Sequence, residues 1–391
     1  MKKLISILGS TGSVGLCTLK IIEKRAKEFK PFVFSADKNY KLISQQIIKY
    51  KPVYFIINNE KVFKKIKKKF EKSSVIITNN YDEIKKIRSS LSITVSAIPG
   101  IVGLLPMIKL INFSNKILIA NKEAIVCGWN LIRNKANNNN TKLIPLDSEH
   151  FSIFQLIKNH KLNEIKKIYI TSSGGPFLNH KLYQFKKIKP KDALKHPKWK
   201  MGNKISIDSA TLVNKILELV EAQKLFNIPP KKLDVIIHPN SLIHAIVVFN
   251  NGITKMLYHP TTMIIPIVNA IFNDKIDVND FYKHNTKKKE VIIENLIFKK
   301  VDVKKFPIIK LRQKVNEHPS SAIIFNAANE VLVEQFLKKR ISYLAIIKGI
   351  SDILRDRNYR KYAIKKPKTL NQILAIDNWA RKKVLKNILH V

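Results

Sequence analysis

The chain is poor in cysteine, with only Cys17 and Cys127 in 391 residues. That excludes a disulfide-stapled scaffold and a cysteine-rich zinc site, and we read both thiols as small buried hydrophobes. It also lacks a long apolar run: nothing approaches the roughly 18–20 residues that span a bilayer. The first apolar run, Leu4–Leu8, is too short for a signal-peptide core. A reducing cytoplasm with no membrane contact is therefore expected. Acidic residues are scarce as well, 28 against 72 basic ones, for a net charge of +44. Such a field could attract nucleic acid, an anionic membrane or acidic substrates. Arginine, however, supplies only 9 of those cations and lysine the other 63. Base-reading proteins lean on arginine, whose planar fork matches guanine and phosphate. The lysine runs, such as Lys64–Lys69 and Lys287–Lys289, are not interleaved with aromatics as single-strand binding requires. Lysine, isoleucine and asparagine (Asn137–Asn140 among them) all have A/T-rich codons. The charge therefore reads as base-composition drift onto solvated faces, and no nucleic-acid partner is expected.

What is present is a globular composition, 45% hydrophobic and 26% charged, long enough for two or three domains. Residues 3–8 read as a buried strand, followed by Gly9, Gly12 and Gly15 and a helical run to about Glu28. Strands are expected at Phe32–Ala36, Val53–Ile57, Val75–Thr78, Ile93–Ala97, Lys116–Ala120 and Lys142–Leu146, with helices such as Leu42–Tyr50 and Val62–Phe70 between most of them. That alternation predicts an α/β fold with an N-terminal Rossmann-like, doubly wound parallel sheet over residues 1–150. Beyond it, strands at Lys167–Thr171, Val235–Ile237, Ala245–Phe249 and Thr254–Tyr258, and one amphipathic helix from about Ser209 to Phe226, predict a central α+β domain over 151–273. Residues 274–300 read as a linker. Residues 301–391 read as a small α-helical domain, clearest at Ala322–Lys338.

Three constellations carry chemistry. Gly9-Ser10-Thr11-Gly12-Ser13-Val14-Gly15 stands between the first strand and its helix. Glycines there let the backbone approach a pyrophosphate, and the helix start offers free N–H groups. Asp37-Lys38-Asn39 closes the second strand, where the acid suits a ribose hydroxyl and the Lys-Asn pair a 2′-phosphate; spacing leaves NAD and NADP open. Asp147-Ser148-Glu149-His150 closes another strand, and alternation along an extended chain would aim Asp147 and Glu149 the same way. Convergent carboxylates repel unless a proton or a cation sits between them, and for a cation hard oxygens imply Mg²⁺ or Mn²⁺; the alternative is a solvated strand end with an Asp turn. Asn214, Lys215 and Glu218 share one helix face, adding a third carboxylate. With Asp208-Ser209 at the helix start and Ser173 in its Ser-Ser-Gly-Gly loop, Asn214 and Lys215 offer a phosphate cradle, the plainer reading being a surface Lys215–Glu218 ion pair. The loop His196-Pro197-Lys198-Trp199-Lys200-Met201-Gly202 is either a closing lid or a segment anchored by its tryptophan. His238 and His244 read as turn and core histidines.

In order along the chain, these segments resemble the 1-deoxy-D-xylulose 5-phosphate reductoisomerase family. The resemblance runs through Gly9–Gly15, Ala120–Glu123, Pro145–His150, Thr171–Phe177, His196–Gly202, Lys204–Glu218, His238–Ser241 and Asn326–Glu330. It implies a homodimer that uses NADPH and Mn²⁺ or Mg²⁺ to rearrange and reduce a small sugar phosphate, giving 2-C-methyl-D-erythritol 4-phosphate for non-mevalonate isoprenoid synthesis. By the same resemblance, Asp147, Glu149 and Glu218 hold the metal. Lys122 and Ser148 touch substrate beside it, Ser173, Ser209, Asn214 and Lys215 bind its phosphate, and His196 closes over it. Thr11, Gly12, Ser13, Val14, Lys38, Asn39, Asn121, Glu123 and Gly202 line the cofactor site. Lys122, Glu149, His196 and Trp199 are the catalytic set, Trp199 and Met201 forming the flap.

The chain departs from the family pattern at Asp37 and Ile216, where glycine is usual, and over Leu257–Met263. The lysine surfaces are also atypical. The competing reading is a lysine-rich polyanion binder on a decayed enzyme scaffold, which would show steeply salt-dependent binding and no need of the carboxylates.

Overall fold

The computed structural model describes residues 2–85, 92–199, 201–281 and 296–389. Two compact units emerge, one made of Met1–Ala124, Asn130–Phe151 and Met263–Val291, the other of Ile125–Trp129, Ser152–Thr262 and Ile292–Val391.

The first unit is built on seven strands: β1 (Lys3–Leu8), β2 (Phe29–Ala36), β3 (Tyr54–Ile57), β4 (Ile76–Thr78), β5 (Ser92–Ser96), β6 (Lys116–Ile119) and β7 (Lys142–Pro145). Each lies within a few residues of its expected place. They form one parallel sheet in the order β4-β3-β2-β1-β5-β6-β7. The chain leaves β1 toward one edge and returns to its other side at β5, so the crevice beyond the β1 and β5 carboxyl ends is a topological switch point. The strands read as continuous apolar runs because both faces are covered. Ile5, Ile7, Phe34 and Phe55 are fully buried, packed with Leu19 and Ile21 of the helix Ser13–Lys24 and with Ile267 and Val268 of the helix Ile264–Phe272. On the lysine-rich helix Glu60–Lys69 only Ile66 is buried, and Lys64, Lys65, Lys67 and Lys68 are exposed.

The second unit contains a mixed sheet of β8 (Ile165–Ser172), β9 (Leu233–Ile237), β10 (Ile243–Phe249) and β11 (Thr254–Tyr258), ordered β11-β10-β8-β9. The expected single helix over Ser209–Phe226 is corrected to two, Asn203–Thr211 and Val213–Phe226. Between them the fully buried Leu212 takes a left-handed conformation, φ +59°. The Thr211 hydroxyl makes this break possible: it donates back to the Ile207 carbonyl (3.0 Å) and accepts from the Val213 N–H (3.4 Å). Apolar periodicity runs unbroken across this turn, which is why the pattern conceals it. Ser209 therefore lies near the end of one helix, not at the start of another. The helices Ser321–Leu337, Tyr343–Leu354 and Leu370–Leu389 form the helical region expected toward the C-terminus. Of the expected linker, 282–295 lies outside the described residues.

Candidate active site

The glycine loop is shaped by contact. Gly9 has φ +84°, and a Cβ there would stand 2.8 Å from the Ala97 carbonyl oxygen; on Gly15 it would stand 2.3 Å from that of Gly9. The first glycine thus makes the turn out of β1 and the third brings the helix onto the strand. Gly12 precedes the helix Ser13–Lys24 with no side-chain cap, leaving a first turn whose N–H groups have no intrahelical acceptor. At the end of β2, Asp37 and Lys38 are exposed, their charged atoms 3.9 Å apart. Asn39 caps the next helix, its Oδ1 accepting from the Leu42 N–H (3.1 Å).

Across the same sheet, Asp147 and Glu149 do not sit on one strand, as alternation suggested. β7 ends at Pro145, and Ser148–Ile157 is a helix. Asp147 caps it: Oδ1 accepts from the Glu149 N–H (3.2 Å) and from His150 Nδ1 (3.1 Å). The cap, not strand pleating, brings the two acids together, and the fully buried His150 orients Asp147, a role the sequence reading missed. Lys122 Nζ donates to Asp147 Oδ2 at 2.7 Å. Ser148 Oγ donates to Glu149. Asn121 is buried and caps the next helix, its Oδ1 accepting from the Ala124 N–H (2.9 Å) and its Nδ2 donating to the Gly100 carbonyl (3.0 Å). Glu123 is buried beside it.

In the second unit, Asn214, Lys215 and Glu218 share one helix face as expected, and that face is interior. Glu218 is 1% exposed, accepting from Lys215 Nζ at 2.6 Å and from Asn214 Nδ2. Ile216, where the family commonly has glycine, is buried on the apolar side. Ser173 Oγ lies 3.1 Å from His196 Nε2. His196 Nδ1 accepts from the Lys198 (3.2 Å) and Trp199 (2.9 Å) N–H groups. The ring's single proton is therefore on Nε2, facing Ser173. Burial, helped by the Lys215 charge, pushes the His196 pKa down to about 4. Trp199 is half-buried, edge-on to His244 at 6.1 Å. His244 is stacked on His259 at 3.9 Å. His238 is a core histidine as expected, its Nδ1 2.9 Å from the Ile297 carbonyl oxygen. Gly202 precedes the helix Asn203–Thr211 with open space where a Cβ would be. Cys127 is buried, but Cys17 is only partly so.

Residues 5–128 match the family profile for 1-deoxy-D-xylulose 5-phosphate reductoisomerase. Residues 143–226 and 259–383 match two profiles for C-terminal domains of the same enzyme. The protein of that name from Pelagibacter ubique (strain HTCC1062) is 41% identical over 98% of this chain and 99% of its own length. The chain belongs to the 1-deoxy-D-xylulose 5-phosphate reductoisomerase family. The relative from Clostridium novyi (strain NT) is 39% identical, covering 90% of this chain and 92% of its own. Among solved structures, a reductoisomerase in complex with NADPH, fosmidomycin and magnesium aligns with TM-score 0.89 and 28% identity, over 99% of this chain and 98% of that one. The Zymomonas mobilis reductoisomerase in complex with NADPH gives 0.86 and 29%, over 99% of both. The family's fold is thus retained around the departures at Asp37, Ile216 and Leu257–Met263.

Proposed function

We propose that this chain converts 1-deoxy-D-xylulose 5-phosphate to 2-C-methyl-D-erythritol 4-phosphate, using NADPH and one Mg²⁺ or Mn²⁺. The observation that carries the reading lies within the first unit. A glycine turn too tight for a Cβ at Gly9 or Gly15, opening onto an uncapped helix start, and a pair of hard-oxygen acids stand at the carboxyl ends of strands of one parallel sheet. The donor chemistry fits both groups. The helix start offers backbone N–H to a pyrophosphate, and Lys122 already brings a cation to Asp147. Asp147, Glu149 and Glu218 would hold the metal, with Thr11, Gly12, Ser13 and Val14 along the pyrophosphate. Lys38, Asn39, Asn121, Glu123 and Gly202 complete the cofactor site. When bound, the cation supplies Lewis acidity toward a ketose carbonyl and hydroxyl, and NADPH supplies hydride.

The chain's own residues do the rest. Lys122, held on Asp147, offers a donor to a substrate oxygen, and Ser148 binds beside it. Ser173, Ser209, Asn214 and Lys215 take the phosphate, with His196 donating from Nε2. His196 stays neutral at pH 7, so it contributes a hydrogen bond and no charge. Trp199 shields reactive carbonyl fragments from water, and remote phosphate binding drives that closure. We propose further that the protein is a homodimer joined along β11. That strand is at a sheet edge, with Thr254, Lys255 and Met256 exposed and Ile253 at 53%, the arrangement that invites strand pairing with a second copy.

NADPH oxidation with 1-deoxy-D-xylulose 5-phosphate, with Mg²⁺ or Mn²⁺ and after chelation, tests the reaction. Metal-dependent turnover to the methylerythritol phosphate supports it; folded, metal-loaded protein without turnover rejects it. A monomer by sedimentation at micromolar concentration would reject the dimer.

A further inference from the structure

The segment Asn326-Ala327-Ala328-Asn329-Glu330 stands apart from the residues given a role above. It lies on the helix Ser321–Leu337, where Asn326 and Asn329 are fully buried. An asparagine inside a helix is a weak helix former and costs desolvation unless it is bonded, so its partner is informative. Asn329 Nδ2 donates to Asp208 Oδ1 at 2.8 Å, across a sequence gap of 121 residues. Asp208 is 1% exposed, and its other oxygen accepts from Lys204 Nζ at 2.7 Å. A carboxylate only accepts, so the Asn329 amide can face it only through nitrogen.

Asp208 immediately precedes Ser209. The same short helix is gripped twice more. Tyr343 Oη donates to the Ala210 carbonyl at 2.6 Å. A Cβ on Gly175, φ +66°, would stand 2.9 Å from the Ser209 carbonyl oxygen, so the loop carrying Ser173 rests on this backbone. Bonds from the C-terminal helices therefore terminate on the stretch that presents Ser209, against which the Ser173 loop is packed.

We infer that Asn329 is a positioning residue. Through Asp208 it sets Ser209 and the adjoining Ser173 loop in register to receive the substrate phosphate. This rests on the phosphate assignment above. It predicts that loss of the Asn329–Asp208 bond weakens phosphate binding specifically, beyond any loss of stability.

The test uses the full-length Asn329→Asp and Asp208→Asn variants and the double swap D208N/N329D, which rebuilds an amide–carboxylate bond with its ends exchanged. Two readouts are taken: kcat and KM for 1-deoxy-D-xylulose 5-phosphate, and the rise in Tm produced by inorganic phosphate, which needs no turnover. Each single variant should raise KM about tenfold with kcat changed less than about threefold, and should lose most of the phosphate-induced Tm rise. The swap should recover KM to within about threefold of wild type. Should a single variant prove too unstable to assay, Asn329→Ser, a smaller donor, should give an intermediate KM. Variants that lose Tm but keep wild-type KM and phosphate response would overturn the proposal, as would a swap no better than the singles. A wild-type protein that responds to phosphate but does not turn over the sugar phosphate would sink the reaction assignment while leaving the Asn329 result readable.

Discussion

The two units hold their lysine–carboxylate pairs in different ways. In the first, Asp147 caps a helix at the end of β7 and has several donors: Lys122, His150 and the Glu149 backbone. In the second, Glu218 sits mid-helix at 1% exposure, bonded to Lys215 and Asn214 from the preceding turn. A carboxylate with backbone and imidazole donors tolerates loss of its lysine; a deeply buried one that relies on neighbouring side chains does not. Pairing that is chemically alike therefore bears on stability to a different degree in the two places.

Removing Lys215 should break the second arrangement outright. Lys215→Met leaves Glu218 buried without its ammonium, and loss of one partner of a buried pair costs about 3–5 kcal/mol. Denaturant unfolding should show that drop together with loss of turnover; a change under about 1 kcal/mol would mean that other groups or water hold Glu218 once the ammonium is gone. Lys122→Met should do the reverse. With the cap and His150 remaining on Asp147, stability should fall by only about 1–2 kcal/mol, while kcat/KM falls about a hundredfold.

That contrast also separates what the sequence made legible from what it hid. The parallel sheet follows from apolar runs alternating with helical ones, and its strands begin and end near where Ile, Val and Phe give way to glycine, asparagine or lysine. Asn214, Lys215 and Glu218 were legible as one helix face because helical spacing is rigid. The break at Leu212 was not, because its cause is a hydroxyl capping both sides of a buried left-handed leucine. Asp147 and Glu149 were paired for the wrong reason: a capping aspartate starts a helix where an extended chain was expected. His150 and Asn329 were invisible as functional side chains because each acts on a carboxylate through contacts that spacing alone does not define.

A smaller effect should appear with pH. His196 ordinarily titrates near 6.5, and burial lowers this to about 4 in the folded chain. Between these values the unfolded state binds more protons, so stability rises with pH through the window and is fully present above 6.5. It is lost progressively as pH falls toward 4. His196→Gln should flatten this part of the stability–pH curve. The flattening should be partial, because His238 and His259 are also shifted downward by burial. An unchanged slope would mean that the ring is already solvated. Cofactor choice offers a subtler test at the first unit's other rim. Asp37→Gly removes an exposed carboxylate beside Lys38 and should raise the NADPH/NADH preference by about threefold to tenfold, a range set by one screened charge near a 2′-phosphate. An unchanged ratio would place Asp37 away from that phosphate.

The smallest effect is expected where lysine is most abundant. On the helix Glu60–Lys69 the lysines are solvated; Lys64 keeps 74% of its side-chain surface and meets Glu60 at 3.3 Å. Exposed pairs of this kind contribute about 0–1 kcal/mol. Replacing Lys64, Lys65, Lys67 and Lys68 with glutamine should therefore shift stability by less than about 0.5 kcal/mol per site and leave kcat/KM unchanged at physiological salt, where screening acts over about 8 Å. At low salt a modest fall in kcat/KM is expected, because the anionic substrate and cofactor lose part of the long-range field that draws them in. If the same variant instead lost a tight, salt-sensitive affinity for nucleic acid, the lysine field would be a selected binding surface. Its contrast with the buried lysines would then lie in the ligand each serves.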